Sequence, residues 1–448
     1  MEEKAQIALE EIRHWLSASN LKQASGVLAG LHPADGADVL LALEEDSIRE
    51  LLAQISHETT AEIIEHLDPP QALEVTKDFE HHRLSLVLDH METDKAVDLL
   101  NELPPETVAD LLTHMNSAAE VAPLLLHPSE SAAGVMSLEF TTLDEDMTVN
   151  ASIAFLRRFA PPSDQIYYLF IQDREHHLKG VVSLRSLIIA QPNERLRDIM
   201  DTNVISVQAG TDQEECARIM QHYDLQALPV VDDENRLIGV ITLEEALDVA
   251  EEEATEDMYH MAGLSGEEYL FSSLMFSVRK RLPWLFLNVF TMAIAGAVVS
   301  LFEETLATFA VLAVFMPIVA GLGGNTGIQT ITIMVRGLAL GEISPRQAWQ
   351  TLGKEISLGL IHGLILGCLV GLMAYLWRGE IWLGVVVTLA MTGNMLVAGT
   401  VGVLIPLGLR AIKVDPALAS GIFLTTFTDV CGLFLLLGLG TLVLIHFI

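Results

Sequence analysis

Five long apolar runs fill the C-terminal part of the chain, at roughly 284 to 302, 306 to 334, 356 to 377, 381 to 409 and 417 to 447. Each can cross about 30 Å of hydrocarbon as a helix, which takes about 20 residues. Inside a bilayer, backbone polar groups must be satisfied within the segment, so the spans are expected to be helical. The second, fourth and fifth exceed the needed length and must tilt, kink or project, with Pro317 and Pro406 as natural kink points. Arg279, Lys280 and Arg281 precede the first run. Arg336, Arg346 and Lys354 lie between the second and third, and Arg410 and Lys413 between the fourth and fifth. The other connections hold Glu303-Glu304 and the nearly neutral 378–380 turn. The positive-inside rule therefore predicts a cytosolic N-terminus and an outside C-terminus.

Charge separates this part from the rest. From Phe276 onward there are nine Lys/Arg and seven Asp/Glu, so the formal −35 of the chain becomes about −37 on the first 275 residues. An acidic globular half repels nucleic acid and anionic lipid, and it either swells by self-repulsion or recruits cations. Plain solubility is the competing explanation for such acidity. Cys216, Cys368 and Cys431 are far apart and have no metal-ligand spacing, so neither a disulfide framework nor a zinc site is expected. The start, Met-Glu-Glu-Lys, lacks the basic and apolar regions of a signal peptide, and the acidic half is expected to stay in the cytosol.

Between about 20 and 125, similar segments recur at Leu31-His-Pro-Ala-Asp-Gly-Ala-Asp-Val-Leu-Leu, His57-Glu-Thr-Thr-Ala-Glu-Ile-Ile and Leu103-Pro-Pro-Glu-Thr-Val-Ala-Asp-Leu-Leu. Each has a polar or Pro-bearing start followed by paired aliphatics, which predicts short capped helices stacked into a superhelix. From about 133 to 250, β-branched runs alternate with helical stretches in two similar halves. Gly134-Val-Met returns as Asp198-Ile-Met, Phe170-Ile-Gln-Asp as Pro229-Val-Val-Asp, and Lys179-Gly-Val-Val-Ser-Leu as Ile238-Gly-Val-Ile-Thr-Leu. This repeat resembles a tandem CBS pair. Such pairs often bind adenine nucleotides through a Ser/Thr and an acid three residues on. Thr242 and Glu245 occupy those positions in the second copy, while the first has Ser183 and Ser186. ATP is the nucleotide expected if the pair binds one; a mechanical dimerisation module is the other reading. After it, an acidic stretch at 251–257 leads through Gly263-Leu-Ser-Gly266 to Arg279-Lys-Arg-Leu-Pro283. Acid at the start and base at the end suit one helix dipole, so 251–282 is expected to be a connecting helix able to carry motion to the spans.

Two membrane segments carry candidate chemistry. Asp429 lies within the fifth run, where an ionised carboxylate costs at least about 2.5 to 3.5 kcal/mol and no neighbouring span offers a base. A proton or a passing cation must neutralise it, or it stays protonated and bonded to a backbone carbonyl. Thr425 and Gly432 are expected on the same face of that helix. In the second run, helical spacing puts Gly321, Asn325, Gln329 and Thr332 on one face. Neutral oxygens beside one carboxylate suit Mg2+, which dehydrates reluctantly and keeps several waters, with two chains each supplying Asp429. His362, Asn288 and Asn394 read as interhelical hydrogen-bonding residues.

Gly323-Gly-Asn-Thr-Gly-Ile-Gln with Arg336-Gly-Leu-Ala, Val414-Asp-Pro-Ala-Leu-Ala-Ser-Gly421 and Leu424-Thr-Thr-Phe-Thr-Asp-Val-Cys-Gly432 resemble the motifs of the MgtE family of Mg2+ channels. Ile328 stands where many members have Asn, and Ile422 where many have Pro. The likeness implies a multi-domain membrane protein with an all-α superhelical N-domain (1–130), an α/β tandem CBS pair (131–250), a connecting helix (251–282) and a five-helix transmembrane pore domain (283–448). It further implies a homodimer in the bacterial inner membrane with its pore between subunits, lined by Asp429 and Asn325. Cytosolic Mg2+ would bind between acidic faces of the N-domain, CBS pair and connecting helices and close the pore, with Glu252, Glu253, Glu256, Asp257 and Asp415 as ligands. Two other functions compete. An H+- or Na+-coupled transporter would use Asp429 as a relay but predicts paired halves among the spans, which five spans do not offer. A membrane-anchored nucleotide sensor needs no buried acid or glycine-rich polar stripe. No nucleophile, base and oxyanion set suggests an enzyme.

Overall fold

A computed structural model describes residues 3–159, 168–264, 268, 274–343, 345–418 and 420–447. The chain divides into two compact units, Met1–Ala250 and Glu251–Ile448.

The first unit opens with ten short helices among the described residues: α1 (Glu3–Ser17), α2 (Leu21–Ala29), α3 (Pro33–Leu41), α4 (Glu45–Leu52), α5 (His57–Ile64), α6 (Pro69–Thr76), α7 (His81–Leu88), α8 (Thr93–Asn101), α9 (Pro105–His114) and α10 (Ala118–Leu124). The sequence motifs named three of these, α3, α5 and α9. Their starts are fixed locally. His32 Nδ1 accepts from the Ala34 amide at 3.3 Å, Ser56 Oγ from the Thr59 amide at 3.1 Å, and Pro33 and Pro105 occupy first-turn positions where no amide hydrogen is needed. The odd-numbered helices pack on one another in sequence, as do the even-numbered ones, giving the two layers of a superhelix. Leu28, Val39, Leu40, Leu51, Leu52, Ile63 and Leu100 line its core.

Two small sheets follow, built from β1 (Thr142–Asp144), β2 (Tyr168–Gln172) and β3 (Leu178–Ser183), and from β4 (Val207–Gln208), β5 (Ala227–Val231) and β6 (Leu237–Thr242). Helices α11 (Val149–Phe159), α12 (Leu184–Ile189), α13 (Leu196–Ile199) and α14 (Gln213–Tyr223) accompany them. In each sheet the first pair is parallel and the second antiparallel. Tyr168↔Ser183 and Ile171↔Gly180 recur as Ala227↔Thr242 and Val230↔Gly239, and both ladders have an irregularity at the same point. The repeat seen in sequence is therefore a repeat in register. The two copies are also interlaced. A Cβ on Gly239 would lie 2.3 Å from Met136 Sδ, and one on Gly180 would lie 2.7 Å from Met200 Sδ. Thus the methionine that opens each half packs on a strand of the other.

Helix α15 runs from Leu243 to Met261. The expected single connecting helix over 251–282 does not form. Gly263 takes φ +75°, the Leu264 amide bonds Tyr259 O at 2.8 Å and the Gly263 amide bonds His260 O at 3.0 Å, a glycine-terminated helix end. The next helix among the described residues is α16 (Leu274–Leu301), the first span, and Arg279, Lys280, Arg281 and Pro283 belong to it. Ser265 and Gly266 of the expected connector lie outside the described residues. The remaining elements are α17 (Glu303–Thr308), α18 (Leu312–Ala339), α19 (Pro345–Arg378), α20 (Ile381–Ala411) and α21 (Ser420–Phe447).

Five of these helices, α16 and α18 to α21, are long and apolar enough to cross a membrane. Two boundaries differ from the sequence expectation. The short α17 takes the residues that open the second run, so that span starts at Leu312. The third starts at Pro345, well before 356, because its polar first turns remain helical. Helix α20 is central and packs on α18, α19 and α21. Gly359, Gly363, Gly367 and Gly371 form a glycine at every fourth position of α19. A Cβ at each would lie 2.2 to 2.8 Å from atoms of Met395, Thr392 or Thr388, so the missing side chains let the two backbones meet.

Candidate functional site

Asp429 projects from α21 and is half-buried. Among the described residues its carboxylate has no hydrogen-bond or ion-pair partner, so charge at this depth is left for a ligand or proton to balance. The adjacent hydroxyls turn back on their own helix. Thr425 Oγ1 donates to Gly421 O at 3.1 Å and Ile422 O at 3.0 Å, and the fully buried Thr428 donates to Leu424 O at 3.1 Å. With the hydroxyl hydrogens committed, the oxygens remain acceptors.

Helix α18 meets α21 beside this stretch. A Cβ on Gly324 would lie 3.9 Å from both Thr425 Cγ2 and Thr428 Oγ1, and one on Gly327 would lie 2.5 Å from Leu424 Cδ1. Around the helix from these contacts, Gly321, Asn325, Gln329 and Thr332 are all exposed on the single chain, as the spacing predicted. Thr332 Oγ1 donates to Ile328 O at 2.9 Å. Gly432 departs from expectation. It is buried against Asn394, so it serves helix packing and does not extend the polar face of Asp429.

Of the three residues read as interhelical hydrogen bonders, Asn394 alone acts so among the described residues. Its Nδ2 donates to Val319 O at 2.8 Å. Asn288 receives a bond from Thr291 of its own helix, and His362 is exposed. A second carboxylate on a spanning helix escaped sequence reading because the third span was expected to start at 356, one residue beyond it. Glu355, 6% exposed, accepts from Thr330 Oγ1 of α18 at 2.9 Å.

The acids Glu252, Glu253, Glu256 and Asp257 lie on the second half of α15. The structure brings Glu256 and Asp257 together with Asp415, which sits in the α20–α21 connection. The link is His260, a residue the sequence reading passed over. Its Nδ1 lies 2.9 Å from Asp415 Oδ2 and its Nε2 3.4 Å from Glu256 Oε1. The hydrogen bond to Asp415 raises the imidazole's affinity for its proton. Burial pushes Asp415 up, but the bonds from His260 and the Ala417 amide, the latter 2.8 Å long, leave it below the usual carboxylate range. Burial, then the charge of Asp415, pushes Asp257 up to about 6. Glu252 and Glu253 stand a turn earlier. Among the described residues, no three His, Cys, Asp or Glu side chains are already arranged around a metal position.

Thr242 and Glu245 face one another across the start of α15. The Thr242 amide donates to Glu245 Oε2 at 2.7 Å, its hydroxyl donates to the same oxygen, and Glu245 is 9% exposed. This is a helix-capping pair, and Ser183 with Ser186 holds the same positions at α12 with the bond reversed, the Ser186 amide donating to Ser183 Oγ at 3.0 Å. As placed, the Thr242 proton and one carboxylate oxygen, Glu245 Oε2, are used within the protein.

These features define a multi-pass α-helical membrane protein with a large acidic, CBS-containing portion. The chain belongs to the MgtE family. The family model described as divalent cation transporter matches residues 316–439, the MgtE intracellular N domain matches 31–129 and the CBS domain matches 196–252. The magnesium transporter MgtE of Thermus thermophilus is 38% identical over 73% of each chain, and that of Bacillus subtilis is 35% identical over 71% of this chain and 70% of its own. Among solved structures, the cytosolic domain of the Mg2+ channel MgtE in complex with ATP is 34% identical. It covers 54% of this chain and 99% of its own, at a TM-score of 0.51.

Proposed function

We propose that two copies of this chain form a Mg2+-selective channel in the bacterial inner membrane, with the pore between subunits lined by α18 and α21. Asp429 of each copy supplies the selecting carboxylate and Asn325 lines the path. The observation that carries this reading is the carboxylate of Asp429, without a partner among the described residues, on the helix that packs against α18, another face of which exposes Asn325 and Gln329. Lipid cannot satisfy such amides, whereas water and a second copy can. An ion that keeps its inner waters needs few direct ligands, and two carboxylates with neutral oxygens meet the requirement of Mg2+. The relatives named as magnesium transporters support the same cargo.

In this reading Mg2+ is also the closing signal. Asp415, Glu256 and Asp257, with Glu252 and Glu253 a turn away, would hold hydrated Mg2+ at the end of α15, and waters and the second copy would complete the coordination. The N-terminus faces the cytosol and the C-terminus the outside, as the distribution of Lys and Arg demands. The direct test is divalent-ion uptake into proteoliposomes by the wild type and by Asp429→Asn at matched incorporation. Mg2+ flux that collapses in the variant is the expected result; undiminished flux would refute the role of Asp429.

A further inference from the structure

Asn394 is completely buried in α20, and its amide is wedged between the two helices proposed to line the pore. On one side, a Cβ at Gly323 of α18 would lie 2.2 Å from Asn394 Nδ2. On the other, a Cβ at Gly432 of α21 would lie 2.6 Å from the same atom. Neither methyl group could exist with the amide where it is, so two glycines on different helices leave room for one side chain. The hydrogen bond to Val319 O fixes which way the amide points, since the reversed rotamer would set two acceptors face to face. Asn394 Oδ1 is then buried with no hydrogen-bond partner among the described residues. A leucine, of nearly the same shape, would fill the space here without that penalty, which argues that the amide is kept for its geometry.

The wedge sits close to the ion site in sequence and in space. Gly432 follows Asp429 by less than one helical turn, and Gly323 precedes Asn325 on α18. We propose that Asn394 is a positioning residue for ion selection: by separating α18 from α21 and gripping the Val319 carbonyl, it sets how the Asp429 carboxylate and the Asn325 amide stand relative to each other. Asn394 does not touch the ion. The inference rests on the transport reading above for its functional consequence, while the wedge itself stands on packing alone.

The experiment is a double-mutant cycle between Asn394→Ala and Gly323→Ala in the full chain. It is read by Mg2+ and Ca2+ uptake into proteoliposomes and by thermal midpoint in detergent. Misplacing a catalytic or binding group by about 1 Å can cost as much as about 100-fold, so Asn394→Ala is expected to lower Mg2+ uptake by about tenfold. The Mg2+ to Ca2+ flux ratio should fall with it, a change that general loosening of the fold would not give. Gly323→Ala should be at least as harmful. The double variant should recover part of the loss in uptake and in midpoint, because the new methyl enters the space the amide vacates. If Asn394→Ala does not fold, Gly432→Ala displaces the amide from the other side and should reproduce the loss of ion discrimination. Wild-type uptake and ion ratio in Asn394→Ala, beside an Asp429→Asn variant that has lost flux, would overturn this inference and leave the transport reading intact. A wild type without divalent flux would instead overturn the transport reading. The midpoint cycle would then decide the wedge, with additive effects refuting it.

Discussion

His260 Nδ1 lies 2.9 Å from Asp415 Oδ2, tying the last turn of α15 to the connection from which α21 sets out toward Asp429. The backbone supports this junction, because Gly421 presents its bare Cα to the carbonyl of Met261; a Cβ there would lie 2.7 Å from that oxygen. The end of α15 therefore lies in direct contact with the start of the helix that carries Asp429.

His260→Ala removes the tie and leaves Asp415 and Glu256 without their shared imidazole. Limited proteolysis of the purified chain should cut faster around 251–266 in the variant. Added millimolar Mg2+ should slow that cleavage in both proteins. Cleavage indifferent to Mg2+ in the wild type would refute a regulatory ion at this junction.

Gly421→Ala places a methyl against backbone, which cannot yield as a flexible side chain would. Overpacking of this kind costs about 1 to 3 kcal/mol. The expected outcome is a lower thermal midpoint for the variant in detergent, and a midpoint equal to that of the wild type would show that α15 and α21 do not meet this closely.

Asp94, 3% exposed on α8, has one oxygen without a hydrogen-bond partner among the described residues. Burial raises its pKa despite the charge of Lys95 next to it. Burial and then Asp94 push Glu245 up to about 7. Both groups bind protons more tightly when folded than when unfolded, so their stabilising contribution is complete below about pH 4, the ordinary carboxylate range. The Glu245 part is lost as pH rises through about 7, and the Asp94 part as pH rises through its own raised pKa. The thermal midpoint in EDTA should fall between pH 6 and pH 8, and Asp94→Asn should make that fall smaller. An unchanged pH dependence in the variant would remove Asp94 from the account.

Thr242→Val deletes the hydroxyl that Glu245 accepts while keeping a β-branched shape. Loss of one such hydrogen bond costs about 1 kcal/mol, so the variant should show a correspondingly lower chemical-denaturation midpoint with no nucleotide present. A midpoint equal to the wild type would mean that the hydroxyl adds nothing to the amide bond that Glu245 accepts.

Much of this architecture was legible in the amino-acid sequence because its causes are local. A bilayer crossing needs a run of apolar residues, a short helix announces itself by its cap, and a repeated half shows as recurring motifs such as Gly134-Val-Met136 and Asp198-Ile-Met200. Asp429 stood out because a charge in hydrocarbon is conspicuous wherever it pairs or fails to pair. The stop at Gly263 was also present in the chain, but glycine's positive φ is one of several conformations open to it. Only the backbone showed that α15 ends there.

What the tertiary structure alone decided are contacts between residues remote in sequence. Met136 packs on Gly239, His260 reaches Asp415, Thr330 meets Glu355, and Asn394 fits between Gly323 and Gly432. None of these pairs has a spacing or composition that marks it, since complementary surfaces leave no periodicity along the chain. The sequence by itself determined which segments cross the membrane and which carboxylate lies within it. The packing of α18, α20 and α21 decided how that carboxylate is presented, because the approach of two helices is set by the volumes of side chains meeting from different parts of the chain.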